Sequence, residues 1–155
     1  MTLVIRAVPW DDPAGEALRL AQQAEVSTRY GTPDSEPGPK PTAADIAVFL
    51  VAFDDELAVG CGGLRTLDAS HGEIKRMYVI PERRGTGVST ALLTALEGEA
   101  RGRSWDRLVL ETGDQQPDAV RFYEREGYTP IPRFGYYADS ELSLCYEKKL
   151  APLEI

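Results

Sequence analysis

The chain has 155 residues, the length of one ordinary domain and enough to bury a core without disulfides or a metal. Apolar residues make up 43% and charged residues 27%, a globular composition, and no run reaches the roughly 18 apolar residues of a transmembrane helix. Seventeen basic against 25 acidic residues leave a net charge of −8, the wrong sign for a sequence-independent nucleic-acid binder and weakly favourable to a cationic substrate.

Residues 2–8 alternate loosely and read as a strand. Residues 11–30 open on Asp11, Asp12 and Pro13 and place Ala17, Leu18, Ala21 and Ala24 at helical spacing, an amphipathic helix. Residues 31–41 hold four prolines and two glycines and read as a substrate-facing loop. Two apolar runs around Asp54, Asp55 and Glu56 predict a hairpin over 45–67, although its turn lacks glycine. Residues 72–80 alternate, with Ile74, Arg76, Tyr78 and Ile80 on one face and Lys75, Met77 and Val79 on the other, and Pro81 ends the run.

From Val88, a helix presents Ala91, Leu92, Ala95 and Leu96 on one face. Residues 106–112 have the composition of a buried strand, and 116–127 read as a helix with Pro117 near its start and Gly127 as its stop. Residues 128–131 and 142–150 are closing strands. The order β-α-β-β-β-α-β-α-β-β predicts a single α/β domain on a mostly antiparallel sheet, with one parallel crossover from 72–80 through a helix to 106–112.

Several features limit the function. The N-terminus has no basic stretch followed by an apolar run and a small-residue cleavage site, so no signal peptide is expected. Cys61 and Cys145 read as buried reduced thiols of a cytoplasmic protein. With one histidine, His71, and no paired Cys/His spacing, no metal site is expected. His71 sits in a turn composition and reads as solvent-exposed rather than catalytic.

Residues 81–97, PERRGTGVSTALLTALE, join a strand to a helix through a tight basic turn. The first N–H groups of a helix lack intrahelical partners and carry partial positive charge. Gly85 and Gly87 have no Cβ, so an anion can reach those amides, with Arg83 and Arg84 as nearby charges and Ser89 and Thr90 as hydroxyl donors. A P-loop would need Lys-Ser/Thr after its glycine, and a dinucleotide fingerprint would need a third glycine where Thr90 stands.

The turn and the downstream segment AVRFYEREGY together resemble the GNAT-type N-acetyltransferase superfamily. The family's pyrophosphate motif, Arg/Gln-x-x-Gly-x-Gly/Ala, is matched by Arg84, Gly85, Thr86, Gly87, Val88 and Ser89, with serine at the last place. The second motif is matched by Phe122, Tyr123, Glu124, Gly127 and Tyr128. Gln116 and Asp118 stand where the family often has asparagine.

The resemblance implies a mixed, mostly antiparallel sheet of about seven strands, helices on both faces, and a splayed central parallel strand pair. It implies acetyl-CoA as cosubstrate and a primary amine as acceptor, joined by direct attack in a ternary complex. Pantetheine would pair with backbone near Met77, Tyr78 and Val79, and the diphosphate would sit on the amides of 84–89 next to Thr90, with Asp118 and Phe122 lining the cofactor. The Val79 amide would donate to the thioester oxygen and Tyr123 would protonate the departing sulfur.

Glu73 is the candidate base, directly or through water. Glu111 is the second choice, able to hold a cationic substrate. Tyr30, Tyr136 and Tyr137 are candidates to line an acceptor pocket. The acidic surface suggests a polyamine, an aminoglycoside-like compound or a peptide N-terminus without choosing among them. Neither nucleic acid nor membrane is an expected partner, and the family's pairing through C-terminal strands admits a homodimer. Two other readings stay open: a catalytically silent acyl-CoA-binding regulatory module, and an α/β interaction domain in which the glycines only make turns.

Overall fold

The structure, a computed structural model, describes residues 2–32 and 35–152, so Pro33 and Asp34 of the expected 31–41 loop lie outside the described residues. Its elements follow the predicted order: β1 (Leu3–Ala7), α1 (Pro13–Tyr30), β2 (Ile46–Asp54), β3 (Leu57–Thr66), β4 (His71–Val79), α2 (Val88–Gly102), β5 (Arg107–Gly113), α3 (Pro117–Arg125), β6 (Thr129–Ile131) and β7 (Ser143–Lys149).

Local chemistry sets the boundaries. The Asp12 carboxylate accepts the Gly15 N–H at 3.0 Å and Pro13 follows in the first turn of α1, while Gly31 at φ 69° closes the helix. The β2–β3 turn works without glycine because Asp55 takes the left-handed conformation at φ 53°, which aspartate tolerates better than most residues.

The strands form one sheet in the order β1-β2-β3-β4-β5-β7-β6. All neighbours are antiparallel except β4 and β5, which pair in parallel over His71–Glu73 and Arg107–Val109 only. Beyond Glu73 the two strands part, and a gap opens at the centre of the sheet. Helices α2 and α3 share one core, in which Val88, Leu92, Leu93, Leu96, Leu108, Leu110, Tyr123 and Tyr128 are buried. Helix α1 covers the opposite face through Leu18 against Phe49, Val51 and Cys61. Leu92 and Leu96 are fully buried, each contributing about 1.5–3 kcal/mol by area removed from water.

The alternation expected along β4 does not hold. Lys75 opposes Gly63 and Tyr78 opposes Cys61, so three steps on β4 match two on β3. The extra residue is accommodated by a bulge, and Arg76 takes a left-handed φ of 59° there. Beyond the bulge the faces exchange: Met77 and Val79 join Ile74 on the α2 side, and Tyr78 turns toward α1.

Candidate active site

Two adjoining cavities lie where β4 and β5 separate. The larger, about 610 Å³, runs from the start of α2 to α3 and is lined by Met77, Tyr78, Val79, residues of the 83–90 turn, Asp118, Phe122 and Tyr123. The smaller, about 110 Å³, lies between α1, the 31–41 loop, β4 and β5, and its walls include Glu36, Lys75, Arg76, Glu111, Ser143 and Tyr123. Tyr123, Gln22, Met77 and Gln116 belong to both walls, so the cavities meet at the Tyr123 ring.

The turn supplies unsatisfied donors. The Arg84 N–H reaches Pro81 O at 3.3 Å, and the Ala91 N–H begins the helical ladder at Gly87 O, 3.1 Å away. Between them the amides of residues 85–90 have no protein acceptor among the described residues. The free run is therefore 85–90 rather than the 84–89 expected from sequence. Gly85 at φ 76° and Gly87 at φ 93° hold the backbone in a region that side-chain-bearing residues enter at a cost, and open space surrounds the position of a Cβ at either. The conformation, rather than crowding, calls for glycine at these two positions.

The basic side chains here are already engaged. Arg84 donates through Nε to Val79 O at 3.0 Å, pairs with Glu25 at 2.7 Å and lies over the Tyr78 ring, 5.5 Å from its centroid. Arg83 pairs with Asp54 at 3.3 Å, the Thr86 hydroxyl donates to Arg83 O, and the Thr90 hydroxyl donates to Glu126 at 2.9 Å. Backbone amides thus offer the free anion-binding capacity of the turn.

The edge of β4 at Val79 also faces the gap. The Ile80 N–H bonds to Val59 O at 2.9 Å, and Val79, opposite Gly60, occupies the alternate non-bonded position. Its N–H and C=O therefore point away from β3 and into the gap. The Val79 carbonyl accepts Arg84, and the Met77 carbonyl accepts the Gln22 amide at 3.1 Å.

Tyr123 is 7% exposed, its hydroxyl has no protein partner among the described residues, and burial raises its pKa. The phenol is therefore protonated at neutral pH. Asp118 opens α3 on the groove wall and pairs with Arg121, and Phe122 packs edge-on to Tyr123 with centroids 5.1 Å apart.

The two carboxylates singled out from sequence occupy different surroundings. Glu73 is 2% exposed and lines neither cavity. It accepts the Tyr137 hydroxyl at 2.6 Å and pairs with Arg65 at 3.6 Å and Lys75 at 3.8 Å. Glu111 lies on the smaller cavity's wall and accepts the Ser143 hydroxyl at 2.6 Å, and its pKa is raised by burial, which outweighs that hydrogen bond. Tyr30 lines the smaller cavity, Tyr137 stands behind Lys75 at 3.1 Å, and Tyr136 is exposed and lines neither. His71, bonded through Nδ1 to Asp68 at 2.7 Å, is also outside both.

Sequence reasoning missed Gln22, Glu36, Lys75 and Arg76. Lys75 and Arg76 looked like ordinary alternating strand residues, and only the bulge turns them to one place. Glu36 lay in a loop whose composition signals a turn and nothing of what its side chain meets. Among the described residues no cluster of His, Cys, Asp and Glu could hold a metal ion, and no helix is long and apolar enough to cross a membrane.

A sequence model of the acetyltransferase (GNAT) family matches residues 17–128. The chain is 39% identical over 103 residues to an IAA acetyltransferase of Azospirillum brasilense, covering 66% of this chain and 67% of that protein. A Klebsiella pneumoniae protein assigned as an acyl-CoA N-acyltransferase superposes with a TM-score of 0.83 at 31% identity, covering 97% of this chain and 99% of that one. A GNAT family acetyltransferase of Elizabethkingia anophelis, solved with acetyl-CoA bound, shares the fold with a TM-score of 0.71 at 17% identity, over 96% and 98% of the two chains. The splayed parallel pair, the glycine turn and these likenesses agree: the chain belongs to the acetyltransferase (GNAT) family. It is an enzyme, an N-acetyltransferase, and the reading as a catalytically silent binding module is not favoured.

Proposed function

We propose that this protein transfers the acetyl group of acetyl-CoA to a primary amine by direct attack within a ternary complex. The observation that carries the reading is the run of unpaired amides at 85–90, which opens a groove ending at a buried, protonated tyrosine. These groups suit the cosubstrate: successive N–H donors at a helix start fit a diphosphate, and the Met77–Val79 stretch of β4, with Val79 turned into the gap, offers backbone to an extended arm.

Bound acetyl-CoA supplies an activated acyl carbon and a thiolate leaving group. The Val79 N–H, turned into the gap, is free to donate to the acyl oxygen as negative charge gathers there. Tyr123 offers its hydroxyl to the departing sulfur. A thiol titrates near 8.5, below a buried phenol, so the contribution of Tyr123 begins as a hydrogen bond to the thiolate rather than as complete proton transfer.

The acceptor, with a pKa near 10.4 for an alkylamine, must lose a proton before attack. Glu111 is suited to receive it, because its carboxylate is on the cavity wall and burial makes it more basic than usual. Glu73 supports the pocket from behind by holding Tyr137 and Lys75. Ser89 and Thr90, Asp118 and Phe122 complete the groove around the cosubstrate. Buried free Cys61 and Cys145, the first pushed up to about 12 by burial, fit a cytoplasmic setting in which thiols stay reduced.

The test is an amine panel with acetyl-CoA, following thiol release, together with melting curves with and without CoA. Turnover with at least one amine and a rise in Tm with CoA are expected, since a ligand of the folded state must stabilise it. No rise in Tm at saturating CoA would contradict the reading.

A further inference from the structure

The smaller cavity holds a feature that the transfer chemistry does not require. Lys75 and Arg76, 6% and 8% exposed, both deliver their charges to one carboxylate, that of Glu36. Lys75 Nζ reaches one Glu36 oxygen at 3.0 Å and Arg76 reaches the other at 2.6 Å. Cations buried this far need an anionic partner.

Their convergence is not a property of a regular strand, in which successive side chains leave on opposite faces. It follows from the bulge at Arg76, whose φ of 59° is unfavourable for a residue with a Cβ and persists only where the surroundings enforce it. The sheet therefore builds a rigid two-cation clamp. The anion that fills it comes from the loop between α1 and β2, where Glu36 is followed by Pro37, Gly38, Pro39 and Pro41.

Clamp and acyl-transfer groups share one cavity. Lys75 and Arg76 line it beside Tyr123, and Glu111, held by Ser143, faces the same space. Without Glu36 the charged side chains on the cavity wall are Lys75 and Arg76 against Glu111, two positive charges to one negative. The floor then has a net positive charge, opposite in sign to the whole protein.

We infer that Lys75 and Arg76 form a carboxylate subsite, that the acceptor is a small amine bearing its own carboxylate, and that the Glu36 side chain occupies this subsite until the acceptor displaces it. The acceptor's amino group then lies between Glu111 and Tyr123, and its carboxylate takes the two contacts Glu36 now makes. This inference rests on the acetyltransferase reading and adds to it the class of acceptor.

The experiment compares wild type, Glu36→Ala and Lys75→Met on matched acceptor pairs, each α- or β-amino acid against its decarboxylated amine, at saturating acetyl-CoA. The expected result for wild type is a kcat/KM at least about tenfold higher for the carboxylated member, a ratio that falls toward one in Lys75→Met through KM. Removing a competing carboxylate raises the fraction of open subsite, so Glu36→Ala lowers KM for the carboxylated amines about tenfold and does not lower that of the plain amines.

A second arm uses propionate alone, without acetyl-CoA, against chloride at the same ionic strength. Propionate raises the Tm of Glu36→Ala more than that of wild type, and it loses this effect in Glu36→Ala/Lys75→Met. Equal or better use of the decarboxylated amines, a rise in KM with Glu36→Ala, or indifference of Glu36→Ala to propionate overturns the inference. If CoA stabilises the protein and plain amines are acetylated while these results fail, the acetyltransferase reading stands and the subsite falls. If CoA fails to stabilise the protein, the underlying reading falls as well.

Discussion

The two cavities that meet at Tyr123 are built by different means. The larger offers its unpaired donors from the backbone: the amides of 85–90, shaped by two glycines at positive φ, and the turned-out Val79 N–H. The smaller is made of charged and hydroxyl side chains drawn from α1, a loop, β4, β5 and β7. A backbone site fixes the position of a common group, such as a diphosphate, and is insensitive to most substitutions outside its glycines. A side-chain site is where specificity is set, because each contact there can be exchanged without altering the fold. The bulge at Arg76 joins the two, placing Val79 on one cavity, Lys75 and Arg76 on the other and Met77 on both.

Four substitutions test that contrast. In the proposed mechanism Tyr123→Phe removes the hydroxyl offered to the departing sulfur where the two cavities meet. Turnover should fall by about 10²–10⁴ while the Kd for CoA, set by the backbone, stays constant, as kinetics and calorimetry on one preparation would show.

Glu73→Gln leaves Arg65 and Lys75 without their shared buried carboxylate. Breaking such a pair costs about 3–5 kcal/mol, so Tm and the denaturant midpoint should drop sharply. Lost turnover at an unchanged Tm would instead identify Glu73 as the base. Gly87→Val places a β-branched residue at φ 93°. About 1–2 kcal/mol of strain is expected, read as a modest loss of Tm, with a larger proportional loss of CoA affinity than of thermal stability.

The smallest effect concerns a turn remote from both cavities. Asp68 is held at about 2, below its ordinary 3.8, by the Ser70 N–H and by the His71 side chain. Its folded-state pKa is depressed, so its contribution is complete above 3.8 and is lost as pH falls from there through about 2. A carboxyl NMR titration of Asp68 should place its midpoint well below 3.8, and Asp68→Asn should flatten the acid limb of the stability curve slightly.

The same contrast explains what could be read from the sequence. The order of elements, the glycine turn and the aromatic pair on α3 were legible because periodicity, prolines and glycines report local backbone needs. The face pattern of β4 was not, because an extra residue absorbed by a non-glycine left-handed residue leaves no signature in alternation. The smaller cavity was legible only in part: Tyr30, Glu111 and the 31–41 loop were singled out, whereas Lys75 and Arg76 were not. Glu36 and Lys75 are 39 residues apart, and only tertiary structure brings them within 3.0 Å. Net charge pointed toward cationic acceptors, yet it describes the outer surface; the buried floor beside Tyr123 carries Lys75 and Arg76.

In the proposed complex, free backbone amides of 85–90 hold the diphosphate of CoA. A crystal structure of the CoA complex tests it most directly. Diphosphate oxygens about 3 Å from several of those N–H groups are the expected result. A diphosphate bound elsewhere, or held by arginine side chains with the amides left unused, would contradict the account.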